Sequence, residues 1–294
     1  MRSVKSILVA TDASADSDDV MRTAAAIAAL TGAELHAIHS FDFPVVSPTE
    51  EKRAGVTFAD MVEAARKRLD EQVARTVRQG VKLSSCEVVV YVAHKAILEQ
   101  AAAVKADIIV MGPHRGKPGT IPFLGSTADR VVRTADVPVL IARAPLSLPL
   151  RRVLVPLDLS EPALGALHLA LEWQQSLPAA DQDVQELVVL HVIPQVLDSG
   201  DLEGVVGQDL HGEVRDTIAD VAGAEHVHLR EEVRWGDSPA AVINQVIVEE
   251  QVDLVVLGTH GYGLIKRALV GSVASAVARA AACPVLLIPP SLKD

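Results

Sequence analysis

The sequence predicts an α/β protein made of two tandem open parallel five-stranded sheets flanked by helices, and three observations carry that prediction. Ile7–Asp12 returns as Val153–Asp158, Ile108–Gly112 as Leu254–Gly258, Gly125-Ser126 as Gly271-Ser272 and Val137–Ile141 as Cys283–Leu287, always 146 residues on. Within each copy, short β-branched apolar runs alternate with longer amphipathic stretches, the pattern of βαβ units around a buried parallel sheet. A length of 294 residues suits two domains of common size.

The elements follow in order. In the first copy, strands are expected near Ser6–Ala10, Glu34–His39, Cys86–Tyr91, Asp107–Met111 and Val137–Ala142. Helices are expected near Asp16–Thr31, Val56–Gln79, His94–Lys105 and Ser126–Thr134. The second copy repeats this, with strands near Arg152–Leu157, Glu186–Ile193, His228–Trp235, Asp253–Leu257 and Val285–Ile288. Its helices are expected near Pro162–Ser176, Leu202–Val221, Pro239–Glu250 and Ser272–Ala281. Pro145 and Pro149 can continue neither a helix nor a strand ladder, so the short stretch around them reads as the linker. The domains are then residues 1–144 and 150–294.

Composition narrows the function classes. The 49% hydrophobic content suits two buried cores. No apolar run approaches the roughly 20 residues that span a bilayer, and the start lacks the long apolar stretch of a secretory signal, so a cytoplasmic protein is expected. Residues 1–150 carry 18 Lys+Arg against 17 Asp+Glu, while residues 151–294 carry 9 against 21. An acidic second half argues against nucleic acid as a partner. Cys86 and Cys283 sit in apolar segments of different copies and read as reduced, buried thiols. The ten histidines, including the pairs His36/His39, His226/His228 and His114/His260, lack the count and spacing of a closed zinc site.

The strongest chemical signal is Gly258-Thr259-His260-Gly261 followed, nine residues later, by Gly271-Ser272. It follows an apolar strand and opens an Ala-rich helix. The first glycine reads as a sharp turn off the strand, and the second tolerates positive φ. Free N–H groups at the helix start make an anion site, and the Ser272 hydroxyl can donate to the same guest. Asp158 closes the first strand of that copy and can flank the same crevice if the first and fourth strands are neighbours. There it would accept from a ribose or adenine donor, or lie near a phosphate-bound Mg2+. Alternatively, Asp158 and Asp12 cap a turn beside Ser160 and Ser14.

This Gly-x2-Gly-x9-Gly-Ser pattern, with an aspartate after the first strand and Pro-Val-Leu in the last, resembles the universal stress protein family over essentially the whole chain. The resemblance implies strand order 3-2-1-4-5 in each domain, an adenine nucleotide alpha hydrolase-like fold, and ATP binding where the motif is intact. It places the second copy's nucleotide contacts on Pro156, Asp158, Val192, Gly258, Gly261, Gly271 and Ser272, with His260 lining the loop. The first copy offers Asp12, Gly112, Gly125 and Ser126, but Arg115 stands where Gly261 stands in the second. A Cβ there disfavours positive φ, and the arginine either fills phosphate space or, with Lys117, pairs with phosphate. The resemblance also implies pairing of the last strands near Val139 and Val285 between the two domains, and a homodimer of the whole chain.

No nucleophile elbow, Walker lysine motif or paired carboxylates at useful spacing is present, so catalysis is not expected. The expectation is a stress-response protein that binds ATP or a related adenine nucleotide mainly in its second domain. A nucleotide-free interaction module and a weak ATPase are the alternatives.

Overall fold

The computed structural model describes residues 4–41, 57–113, 124–176, 186–193, 212, 216–217, 228–260 and 270–290. In the first copy the strands are β1 (Ser6–Thr11), β2 (Glu34–Phe41), β3 (Leu83–Val90), β4 (Ile108–Met111) and β5 (Val139–Ile141). The helices between them are α1 (Asp18–Thr31), α2 (Phe58–Thr76), α3 (Ala93–Ala103) and α4 (Ser126–Thr134). The second copy has β6 (Arg152–Pro156), α5 (Glu161–Ser176), β7 (Glu186–Ile193), β8 (Leu229–Trp235), α6 (Pro239–Glu249), β9 (Leu254–Gly258), α7 (Ser272–Ala280) and β10 (Val285–Ile288). The helix expected near Leu202–Val221 lies largely outside the described residues.

Local chemistry sets several boundaries. A 3-10 turn over Ala15–Ser17 precedes α1, so the helix proper begins two residues later than the sequence suggests. Gly32, at φ 71°, ends it with its N–H on the Ala28 carbonyl. The α2 helix starts at a capping box. Thr57 Oγ1 accepts from the Asp60 N–H at 3.2 Å, and Asp60 Oδ2 accepts from the Thr57 N–H at 2.8 Å. Pro239 opens α6 behind its N-cap Ser238.

Each copy forms a five-stranded parallel unit, and the two units join into one sheet of ten. Its order is β3-β2-β1-β4-β5-β10-β9-β6-β7-β8. The seam is antiparallel, with Val285 opposite Ile141, Leu286 opposite Leu140 and Leu287 opposite Val139. The intramolecular pairing of last strands is therefore present, and it occupies the edge that β5 and β10 would otherwise expose.

The apolar cores divide by face of the sheet rather than by copy. Ile7, Val9, Leu140, Val153, Val155 and Leu286 belong to one cluster. Leu8, Ile109, Ile141, Leu154, Val255 and Leu287 belong to the other. Alternation along each strand sends neighbours to opposite faces, and the seam lets both layers run from one copy into the other. Leu140 and Leu286 are fully buried at the crossing point. Burying a side chain of this size is worth roughly 1.5–3 kcal/mol.

At the opposite end from the glycine loops, one aspartate per copy fixes the strand starts. Asp107 Oδ2 accepts from the Lys5 and Ser6 N–H groups at 2.7 and 3.0 Å. Asp253 Oδ2 accepts from those of Arg151 and Arg152 at 2.8 and 3.0 Å. In both units the strand order reverses beside the first strand, between β1 and β4 and between β6 and β9. A crevice opens there, beyond the carboxyl ends of the strands.

Candidate functional site

The crevice of the second copy is a cavity of about 580 Å3. Pro156, Asp158, Val192, Gly258, His260, Gly271 and Ser272 all line it, so seven of the expected positions converge in space. Gly261 lies outside the described residues. Leu190, Ile243 and Leu257 supply an apolar wall, and His191, Pro239, Thr259 and Val273 also line it.

Asp158 does hold a turn. Its Oδ1 accepts from the Ser160 N–H at 3.0 Å and from the Ser160 hydroxyl. Between them Leu159 adopts φ 62°. The first copy repeats the device with Asp12 Oδ1 on the Ser14 N–H at 3.1 Å and hydroxyl at 2.8 Å, and with Ala13 at φ 58°. A left-handed residue that is not glycine costs roughly 1–2 kcal/mol, and the side-chain turn helps hold it. Asp158 is still exposed and lines the cavity, so holding the turn does not remove it from the crevice.

Gly258 serves a purpose other than the sharp turn expected from sequence. It is the last residue of β9, and its φ is not positive. A Cβ placed on it would lie 2.8 Å from the Pro162 carbonyl carbon and oxygen and 3.0 Å from the Ala163 nitrogen. The glycine lets the start of α5 approach the strand. At the matching Gly112 a Cβ would meet only the Val20 side chain, at 3.1 Å.

The anion site expected from the sequence falls at the start of α7. Gly271 is the N-cap, and Gly271 N–H donates to the Thr259 carbonyl at 2.7 Å. The Ser275 N–H closes the first helical turn on the Gly271 carbonyl at 2.9 Å. The N–H groups of Ser272, Val273 and Ala274 therefore have no intrahelical acceptor, and these residues line the cavity.

The first copy holds a separate cavity of about 460 Å3 lined by Asp12, Gly112, Gly125 and Ser126. Arg115 lies outside the described residues. Asp16 and Asp19 also line this cavity, where the second copy has Pro162 and Gly165. So does Arg143, which corresponds to Pro289. Three carboxylates and one guanidinium thus line the first cavity, and one carboxylate lines the second.

A family model described as the universal stress protein family matches residues 3–143 and again 149–289. The chain belongs to the universal stress protein family. A curated universal stress protein of Methanocaldococcus jannaschii is 34% identical over 143 residues, 48% of this chain and 83% of that protein. One from Thermus aquaticus is 34% identical over 140 residues, 47% of this chain and 98% of that protein. Among solved structures, a universal stress protein from Archaeoglobus fulgidus aligns with a TM-score of 0.67 at 19% identity, covering 99% of this chain and 100% of that one. A putative universal stress protein from Pseudomonas aeruginosa aligns with a TM-score of 0.66 at 17% identity, covering 98% and 94%. These two likenesses establish the tandem fold.

Within this tandem universal stress protein, two histidines that bond the carbonyl just before the site aspartate escape a simple offset. His39 Nδ1 bonds the Thr11 carbonyl at 2.9 Å and His191 Nδ1 the Leu157 carbonyl at 2.7 Å. Their separation is 152 residues, six more than the repeat offset. Correcting for the longer first crossover of the second copy reveals the pair. Arg143 and Thr259 carried no sequence signal, because their roles arise from contacts with Ala278 and Ile288.

Proposed function

We propose that this universal stress protein binds ATP or a related adenine nucleotide in its second cavity and acts as a regulatory binding module. The observation that carries this reading is the convergence of one helix N-terminus, one carboxylate and one apolar wall on a single cavity. Phosphate fits the free N–H groups of Ser272, Val273 and Ala274. Val192 and Ile243 offer an apolar surface to adenine, and Asp158 accepts from a ribose hydroxyl or stands beside a phosphate-bound Mg2+. Asp12, Asp16 and Asp19 outnumber the single Arg143 guanidinium in the described lining of the first cavity, which disfavours a triphosphate there relative to the second cavity. Pro156, Gly258 and Gly271 shape the site through their backbones.

The reading assigns no turnover, since the sequence carries no nucleophile elbow, Walker lysine motif or paired carboxylates at useful spacing. A weak ATPase would show phosphate release that depends on Asp158. The nucleotide-free module is favoured by one observation, the use of Asp158 and Gly258 in local turn and packing roles. The proposed homodimer requires a surface other than the β5 and β10 edges, which pair with each other. Mass spectrometry of small molecules released from freshly purified protein tests the main reading. An adenine nucleotide is expected, and failure both to carry one and to bind added ATP would overturn it.

A further inference from the structure

The helix that borders the second cavity, α7, has few large side chains to lock it in place. Apart from Arg279 its residues are Ser, Ala and Val, and Val277 is its largest fully buried side chain. The Ala281 N–H closes the last turn on the Val277 carbonyl at 2.9 Å, so the carbonyls beyond it lack an intrahelical donor.

Two of those carbonyls are met from the other copy. Arg143 Nη2 donates to the Ala278 carbonyl at 2.7 Å and also to that of Arg279. The seam explains the reach, because Val285, which opens β10 after α7, lies opposite Ile141, two residues before Arg143. Among the described residues no carboxylate pairs with the guanidinium, although Asp12, Asp16 and Asp19 line the same first cavity. The reverse brace is missing, since Pro289 stands at the equivalent position and has no side-chain donor to offer α4.

A helix of this length spans roughly 13 Å. That exceeds the screening length of about 8 Å at physiological salt, so the charge of Arg143 adds little to an anion at the far end. What its bonds do is fix where α7 stands, and with it the N–H groups of Ser272, Val273 and Ala274.

We propose that Arg143, which does not line the second cavity, is a positioning residue for it: by bracing the C-terminus of α7 from the first copy, it sets the affinity for the phosphate part of the ligand. This rests on the reading of the second cavity as a nucleotide site. It makes the first copy a support of the second copy's site, with the dependence running one way.

The test is calorimetric titration of the full chain with ATP and adenosine at physiological salt, for wild type, Arg143→Met, Arg143→Lys and Thr23→Val. Methionine keeps the aliphatic stem without a donor, and lysine keeps a donor. Thr23→Val is the control, because it removes the acceptor of the Leu146 N–H at 3.1 Å and so weakens the first copy away from α7. Arg143→Met should weaken ATP about threefold to tenfold and adenosine less than about twofold, and Arg143→Lys should regain most of the ATP affinity. Thr23→Val should leave both ligands unchanged. Unchanged ATP affinity in Arg143→Met, equal weakening of ATP and adenosine, the same loss from Thr23→Val, or no recovery by lysine would each overturn the proposal. Wild type binding neither ligand would overturn the nucleotide reading itself, and this inference with it. Thermal melts show which variants fold; should Arg143→Met not fold, Arg143→Gln, with a shorter neutral amide, takes its place with the same expected result.

Discussion

The Arg143 guanidinium donates through Nη2 to the main-chain carbonyl of Ala278 at 2.7 Å, across 135 residues of sequence. The same nitrogen reaches the Arg279 carbonyl. Arg143 lines the first cavity, and these carbonyls end α7, whose first residue lines the second. The contact therefore ties one site to the helix that builds the other. Cations at a helix C-terminus are favoured by the aligned peptide dipoles. Arg143→Met keeps the aliphatic stem and removes the donors. A loss of about 1–3 kcal/mol is expected, read as a lower urea midpoint with an unchanged slope. An unchanged midpoint would mean that water replaces the guanidinium without cost.

The two matched strand-end glycines should respond differently to the same change. Gly258→Ala drives a Cβ into the backbone of Pro162 and Ala163, which cannot move without shifting α5. A cost of about 1–3 kcal/mol is expected there. Gly112→Ala meets only a Val20 methyl, which can give way, so a smaller loss is expected. Chemical denaturation of both variants checks the order, and equal losses would contradict the packing argument.

Acid should remove one identifiable contribution from the first copy. Asp18 accepts from Arg75 Nε at 2.7 Å and from Arg75 Nη2 at 2.8 Å, and Gln72 donates to it as well. The Arg75 guanidinium holds the Asp18 carboxyl below its ordinary value of 3.8. A depressed native carboxylate stabilises the fold fully above the unfolded value, and that stabilisation disappears as pH falls through the native one. Arg75 is partly exposed, so Asp18→Asn should cost only about 1–2 kcal/mol near neutral pH. The gap between wild type and variant should then close as pH drops below the ordinary carboxylate range. A gap that stays constant in urea titrations at descending pH would contradict this assignment.

Burial pushes the Cys283 thiol up to about 12 and the Cys86 thiol up to about 11. Only the thiolate reacts quickly, so both cysteines should stay protonated and slow toward iodoacetamide at neutral pH. Rapid modification is expected only after unfolding in urea, followed by peptide mass spectrometry. Fast labelling of Cys283 in the native protein would contradict its burial.

Much of the architecture was legible because the repeat, the apolar alternation and the glycine spacing are local patterns. Fourteen residues of α1 and nine of α4 sit where periodicity places them. The seam was accessible only by resemblance, since nothing in Val139 or Val285 alone specifies an antiparallel partner. The reason for Gly258 was misread, because its close neighbour, Pro162, is distant in sequence and its φ gives no turn. The Thr259 and Arg143 contacts depend on where β10 and α7 end, which only the assembled sheet determines.

The central claim is one intact nucleotide cavity in the second copy. Calorimetric titration of the full chain with ATP and Mg2+ tests it most directly, alongside Asp158→Ala and Ser272→Ala. The account predicts one ATP per chain, with affinity weakened about tenfold or more in each variant. Two equal sites per chain, or no binding by the wild type, would contradict it.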